Sequence, residues 1–292
     1  MMRRSNMIRG LYSAASGLIS QQRRHDTVTN NIANIETAGY KQNTTALRSF
    51  NEMLLQMTGV ESNERKTIGT WTGAVFAEES LTYHSQGDVI QTNNANDFAI
   101  ISNILVDGLN FEQSGKAISQ DGEVVFQPQA YFTVQNGAGE MRYSRGGQFS
   151  VDSQGNLITN NGARVLATNN QPIVLPAGVS INDLTLTADR RLVTSNGEDT
   201  GIQLLISQID NPNGLVREGD GNFKLVAGNA EAIVDTAQVE VRQGYIERSN
   251  VDMAQASVDL MAAARAYEAN QKIVQYFDQT LQKTANEIGR VQ

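Results

Sequence analysis

Apolar positions recur every seventh residue at both ends of the chain and every second residue in the middle. At the N-terminal end Leu11, Leu18, His25 and Ile32 are spaced by seven, with Ile8, Ala15, Gln22, Val28 and Ile35 at three- or four-residue offsets. This is a heptad seam with two polar interruptions, the pattern of a helix that packs along one stripe. The seam predicts a helix that stops at Thr37-Ala38-Gly39, where glycine permits the backbone reversal. Near the C-terminal end Met253, Leu260, Tyr267, Val274, Leu281 and Ile288 hold every seventh position, with Ala256, Ala263 and Phe277 beside them. Asn250 or Ser249 is the candidate N-cap, and neither Gly nor Pro interrupts before Gly289. One helix of about 55–60 Å is predicted at 1.5 Å per residue.

Between roughly Thr70 and Glu247 the period falls to two and turn residues punctuate it. Tyr131-Phe132-Thr133-Val134 and Met141-Arg142-Tyr143 flank Asn136-Gly137-Ala138-Gly139, and Phe149 and Val151 lead through Gln154-Gly155-Asn156 to Leu157-Ile158. Ile181–Thr187 and Leu192–Thr194 flank Ala188-Asp189-Arg190, and Leu204–Ile209 precedes Asn211-Pro212-Asn213-Gly214. Alternation broken by such turns predicts antiparallel hairpins. Residues 41–70 have neither rhythm. There Leu47, Phe50, Met53, Leu54 and Met57 suggest a short helical face, while Gly59 and the polar run Glu61–Thr67 read as a connector. Trp71 is placed to anchor that connector against either the β-domain or a neighbouring subunit.

The chain of 292 residues has no cysteine, which excludes disulfide scaffolds, zinc fingers and thiol nucleophiles. With 18% charged and 40% apolar residues it is neither a disordered polyelectrolyte nor a membrane bundle, and no run of 18 apolar residues occurs. A net charge of −8 opposes binding to nucleic acid. Arg3, Arg4, Arg9, Arg23 and Arg24 precede the first acid, Asp26. That run imitates a transit or twin-arginine leader, but no continuous apolar stretch follows it, so the segment reads as retained and structural. The only histidines, His25 and His84, lie far apart and read as structural, His25 with a pH-sensitive contact as the minor alternative. Gly219-Asp220-Gly221 and Gly115-Lys116 lack the context of nucleotide loops, and no Gly-x-Ser-x-Gly elbow occurs. Carboxylates are plentiful, yet no motif pairs them for glycan cleavage, so the chain reads as a non-enzyme without metal or cofactor.

An amphipathic helix of such length exposes a larger apolar stripe than a monomer tolerates, and one hairpin of two such helices is marginal. Copies packed side by side bury several faces of each helix. The alanines at 254, 256, 262, 263, 264, 266 and 269 permit close approach on more than one face. Termini that order on polymerisation follow from this reading.

The same ends carry recognisable motifs. Ala15-Ser16-Gly17-Leu18, Asn30-Asn31-Ile32-Ala33-Asn34 and Thr37-Ala38-Gly39-Tyr40-Lys41 resemble the N-terminal signature of the bacterial flagellar axial proteins of rod and hook. Gly244-Tyr245-Ile246-Glu247-Arg248-Ser249-Asn250-Val251-Asp252 and Arg265-Ala266-Tyr267-Glu268-Ala269-Asn270 resemble their C-terminal signature. His84-Ser85-Gln86-Gly87, Gln91-Thr92-Asn93-Asn94, Asp97-Phe98-Ala99-Ile100, Tyr143-Ser144-Arg145-Gly146-Gly147-Gln148-Phe149 and Gly219-Asp220-Gly221-Asn222-Phe223 look most like those of the distal rod. The resemblance implies a helical self-polymer forming a tubular drive shaft that transmits torque to the hook, with terminal helices inside and a β-domain outside. It implies other rod and hook proteins as partners, passage through the flagellar type III export apparatus without signal cleavage, and a stiffening segment at 41–70. Two departures stand out: His25 where the family usually has leucine, and about thirty extra residues before Tyr131-Phe132. Val124-Val125-Phe126 and the nearby glycines suggest that these residues form an added surface hairpin or loop.

The expected fold is α+β, with long N- and C-terminal helices forming a coiled-coil-like axial domain around a central, mainly antiparallel β-domain. The expected divisions are an N-terminal axial helix at 1–40, a connector at 41–70, a β-rich outer domain at 71–248 with an insertion near 101–130, and a C-terminal axial helix at 249–292. Subunit contacts are expected at Leu11, Leu18, Val28, Ile32, Gly39, Tyr40, Val251, Met253, Leu260, Tyr267, Val274 and Leu281, with Asn30, Asn31, Asn34, Asn250, Arg265 and Asn270 as polar links. The alternatives are a proximal-rod or hook-type relative, or a secreted adhesin on a coiled-coil stalk.

Overall fold

The computed structural model describes residues 2–49, 53–56, 67–71, 74–77, 81–102, 104, 106, 108–111, 115–119, 122–176, 178–218, 221–226, 230–232 and 238–289, with backbone alone for 2–9, 53–56, 67–71, 231–232 and 287–289. The chain forms two compact units. One comprises residues 1–32, 43–81 and 252–292, and the other residues 33–42 and 82–251.

The first unit is built on two helices, α1 (Met2–Ala33) and α2 (Met253–Gly289). At 37 residues α2 is about 56 Å long. The helices run antiparallel: Gly10 faces Phe277, Gly17 faces Asn270, and Arg24 bonds Asp259 at 2.9 Å. A Cβ at Gly10 would lie 2.6 Å from the Phe277 ring, so the missing side chain is what lets the ring reach the α1 backbone. Along the facing stripe Ala14, Val28, Ala256 and Ala263 are buried, and Leu11, Leu18, Leu260, Tyr267, Asn270, Val274 and Phe277 are half-buried. The heptad of the sequence thus marks a real face, although Met253 and Leu281 at its ends remain 54% and 39% exposed. The side chains of Ile8 and Ile288 lie outside the described residues.

Both expected helix boundaries shift. α1 ends at Ala33, and the turn in which Thr37 N–H donates to Asn34 O follows at once, so Gly39 serves a later bend. α2 is capped by Asp252, whose Oδ1 accepts from the N–H groups of Ala254 and Gln255 at 2.8 and 3.2 Å. Of the two expected caps, Asn250 bonds elsewhere and Ser249 Oγ accepts from Val251 N–H at 3.3 Å, outside the helix.

Strands β1 (Asn43–Thr44), β2 (Leu47–Ser49), β3 (Met53–Gln56), β4 (Thr67–Trp71) and β5 (Val75–Ala77) occupy the segment after Tyr40. β2 pairs with β5 and β3 with β4, both antiparallel. The helical face expected over Leu47, Met53 and Leu54 is therefore absent. Its few apolar positions fit either period, and pairing with the strand-forming Thr67–Trp71 run decides the outcome. Phe50, Met57, the run 61–66 and the Trp71 side chain lie outside the described residues. Ser20 Oγ donates to Val75 O at 3.1 Å and Thr27 Oγ1 meets Thr45 Oγ1 at 2.7 Å, which ties this segment to α1.

The second unit begins at the border strand β6 (Leu81–Thr82) and continues through β7 (Val89–Gln91), β8 (Phe98–Ser102), β9 (Lys116–Ile118), β10 (Val124–Phe126), β11 (Gln129–Gln135), β12 (Met141–Ser144), β13 (Phe149–Val151), β14 (Leu157–Thr159) and β15 (Arg164–Val165). It closes with β16 (Leu184–Leu186), β17 (Arg191–Thr194), β18 (Asp199–Gln203), β19 (Ile206–Ile209), β20 (Leu215–Arg217), β21 (Phe223–Leu225), β22 (Ala230–Ala232), β23 (Val239–Gln243) and β24 (Tyr245–Glu247). Every assigned pairing in it is antiparallel, including the expected hairpins β11–β12, β13–β14 and β16–β17. Within residues 101–130, where a hairpin or loop was expected, β9 and β10 pair antiparallel.

β11 is the central strand, pairing with β12, β15 and β19. Its alternate side chains enter two cores. Ala130, Phe132 and Val134 join Phe98, Ile100, Phe149, Leu157 and Ile206, while Tyr131 joins Tyr143, Leu215 and Phe223. Thr133 on the second face is buried but satisfied, its hydroxyl 2.7 Å from that of Ser207.

Candidate functional site

One motif from each chain end, Thr37–Lys41 and Gly244–Val251, meets the other inside the second unit. Lys41, Arg145 and Glu247 bring two cations and one carboxylate together, each side chain about 1% exposed. Lys41 Nζ donates to Glu247 Oε1 at 2.6 Å and to Ser85 O at 2.8 Å. Arg145 donates to Glu247 Oε2, to the carbonyls of Ala130 and Ile100, and to Ser102 Oγ. Gly87 N–H adds a 2.8 Å bond to Glu247 Oε1. The excess cation is thus met by backbone carbonyls, as a buried charge requires.

Burial alone would raise the Glu247 carboxyl, but Arg145 and Lys41 outweigh it and hold the group below its ordinary value. Burial pushes the Lys41 ammonium down to about 8; Glu247 opposes this and Arg145 reinforces it. At neutral pH the cluster is therefore charged.

Gly39 closes on this cluster. Its φ is +69°, and a Cβ there would lie 2.4 Å from the Arg145 carbonyl carbon, so conformation and space both demand glycine. Next to it the buried Tyr40 ring carries the Arg217 guanidinium 4.0 Å from its centroid. Asn250 spends its amide nearby: Oδ1 accepts from Gln42 N–H at 2.7 Å, and Nδ2 donates to Tyr83 O and Ser85 O. Asn31, in the helical unit, makes the analogous pair of bonds, to the N–H and C=O of Asn43.

His84 is buried beside the cluster, its Nδ1 2.8 Å from the Tyr131 hydroxyl. Burial, then Lys41 and Arg145, lower its pKa to about 3, so the ring is neutral in the fold. The unfolded chain binds that proton below pH about 6.5, so the contribution of His84 to stability is complete above 6.5 and is lost as pH falls towards 3. Between pH 6.5 and 4.5 the loss is expected to be about 2–3 kcal/mol. Urea titrations of the wild type against His84→Gln check this; an equally steep dependence in the variant contradicts it. His25 sits at the surface, its Nδ1 3.6 Å from Asp26 Oδ1.

Of the other expected contact residues, Ile32 and Asn34 are half-buried, Val251 is buried, and Asn30 and Arg265 are exposed. Sequence periodicity missed a second set. On the side of α2 away from α1, Val258, Met261, Ile273 and Tyr276 are exposed, and α1 exposes Tyr12 and Ile19, seven residues apart. Tyr12 and Tyr276 are 70% and 65% exposed. Among the described residues no helix is long and apolar enough to cross a membrane, and no cluster of His, Asp and Glu is placed to hold a metal ion.

Paired terminal helices with further apolar faces, and a β-rich unit that buries one motif from each chain end, carry the signatures of the flagellar axial proteins in one fold. Residues 11–41 match the family described as flagella basal body rod protein, 127–259 the flagellar hook protein FlgE/F/G D1 domain, and 242–287 the flagellar basal body rod FlgEFG protein C-terminal family. The chain is 32% identical over 291 residues to the flagellar hook-basal body complex protein FlhO of Bacillus subtilis, covering 98% of this chain and 100% of that protein. It is 30% identical to the flagellar basal-body rod protein FlgG of Agrobacterium fabrum, covering 93% and 96%, and 29% identical to that of Borreliella burgdorferi, covering 94% and 97%. The chain belongs to the flagellar basal-body rod and hook protein family, as a structural subunit of the rod.

Proposed function

We propose that the chain is a distal-rod subunit that polymerises helically through its terminal helices and transmits torque by interlocking contacts rather than by chemistry. The observation that carries this is the second apolar face on each helix. α1 and α2 already satisfy one stripe against each other, yet Tyr12, Ile19, Val258, Met261, Ile273 and Tyr276 remain exposed. Burying each is worth about 1.5–3 kcal/mol, which neighbouring copies supply in a coiled-coil-like tube. Leu11, Leu18, Ile32, Leu260, Tyr267, Val274 and Leu281 serve the helix pair and, where half-open, its neighbours. Asn30, Asn34, Arg265 and Asn270 supply polar links. The β-rich unit lies outside, the strands at 41–70 stiffen the shaft, other rod and hook proteins adjoin it, and the chain travels through the type III export apparatus.

Electron microscopy of concentrated full-length protein beside a chain lacking residues 1–40 tests this. Filaments are expected only from the full-length chain. Discrete particles from both, with a ligand bound by the β-rich unit, would favour an adhesin.

A further inference from the structure

A groove of about 800 Å³ opens within the β-rich unit. One wall is β16 with the turn after it, the other is β23 running into β24, and Asn93–Ala95 close one end. Its size falls within the usual range of small-ligand sites.

The main chain of the walls is already occupied. Gln243 Oε1 accepts from Leu186 N–H at 2.9 Å, and Nε2 donates to Leu184 O at 3.0 Å and Ala95 O at 2.9 Å. The Gln243 amide thus stands where a neighbouring strand's peptide group would stand, which disfavours an added peptide strand. What faces a ligand is side chain: the exposed amides of Asn93, Asn94 and Asn182, the Thr185 hydroxyl, and the Tyr245 ring.

Charge narrows the class further. Among the described residues the charged groups lining it are Glu240 and Arg242, which neutralise each other through two bonds of 2.7 and 2.9 Å, so a cation finds no unpaired carboxylate among them. An anion meets a unit with eleven lysines and arginines against twenty aspartates and glutamates. Polar and apolar surface line the groove in similar shares, so a purely apolar ligand would leave the polar half unmatched. A neutral ligand rich in hydroxyls fits: the amides of Asn94 and Asn182 donate and accept, Asn93 keeps its N–H groups while its Oδ1 accepts from Gln91, and the Tyr245 ring, with the Arg242 guanidinium 6.0 Å from its centroid on one side, offers its other side as an apolar face.

We propose that this groove binds a neutral oligosaccharide. The groove is lined by the β-rich unit alone, whereas assembly is read from the helices, so its failure leaves the assembly reading untouched. Calorimetric titration of the full chain with chitotetraose and with cellotetraose tests it, the two sharing a β-1,4 backbone and differing in the acetamido group. Saturable binding of either is expected, weakened about tenfold or more by Tyr245→Ala and by Asn182→Arg. The Asn182 change lies on an exposed turn and guards against a folding defect in the Tyr245 variant. Preference for chitotetraose assigns recognition to the acetamido group, and equal binding assigns it to the ring hydroxyls. Absence of binding by both sugars, unchanged binding in both variants, or binding of an extended neutral peptide without either sugar overturns the proposal.

Discussion

Glu247→Ala is expected to destabilise the β-rich unit by about 3–5 kcal/mol, because it leaves Lys41 and Arg145 buried without a counter-charge. The pair Arg142–Glu140, whose acid is exposed, is the control. Its 2.6 Å separation matches that of Lys41–Glu247, but Glu140 is 55% exposed where Glu247 is 1% exposed. Arg142 also keeps Glu218 at 2.6 Å. Glu140→Ala is therefore expected to cost under about 1 kcal/mol, since water screens the half-exposed Glu140 and the buried Arg142 guanidinium keeps Glu218 as its counter-charge. Urea midpoints of the two variants, followed by near-ultraviolet circular dichroism, separate the cases. Equal costs would mean that burial of the cluster counts for little.

Replacing Val258 and Tyr276 together with aspartate is expected to abolish filament formation while leaving helix content and the urea midpoint near those of the wild type. Both residues lie on the face of α2 turned away from α1, so the charges do not enter the pair inside the chain. Between copies they would be desolvated without partners, at several kcal/mol each. Leu260→Asp should differ. Leu260 is half-buried on the pairing side, so that change is expected to lower helix content as well as assembly. Filaments of normal length from the double variant, seen by electron microscopy, would remove these faces from the assembly scheme.

Signals confined to a few neighbouring residues were the ones legible in the sequence. The turn at Asn136–Gly139 fixes the β11–β12 pairing because its glycines and asparagine act within four residues. The heptads located the stripe on which α1 and α2 meet, but counting by seven follows one stripe and passes over Val258, Met261, Ile273 and Tyr276. Strands β2 and β3 were not legible because so few apolar positions fit either period, and their partners come from later in the chain. The charge cluster was hidden for a different reason. Lys41 is 206 residues from Glu247, and Arg145 is 102 from it. The motifs flagged all three stretches, yet nothing local says that charged side chains from them meet in the interior. The signal that was available was a lysine, an arginine and a glutamate inside motifs whose other members are mostly small, aromatic or amide residues.

The polypeptide crosses between its two units four times, after Ile32, Gln42, Leu81 and Val251. Next to three of these crossings, Gln42, Tyr83 and Asn250 are joined by the Asn250 carboxamide and by the bond from Tyr83 N–H to Gln42 O. All three residues belong to the second unit, so three stretches far apart in the chain are pinned there at one carboxamide, and a pull on one is shared by the other two.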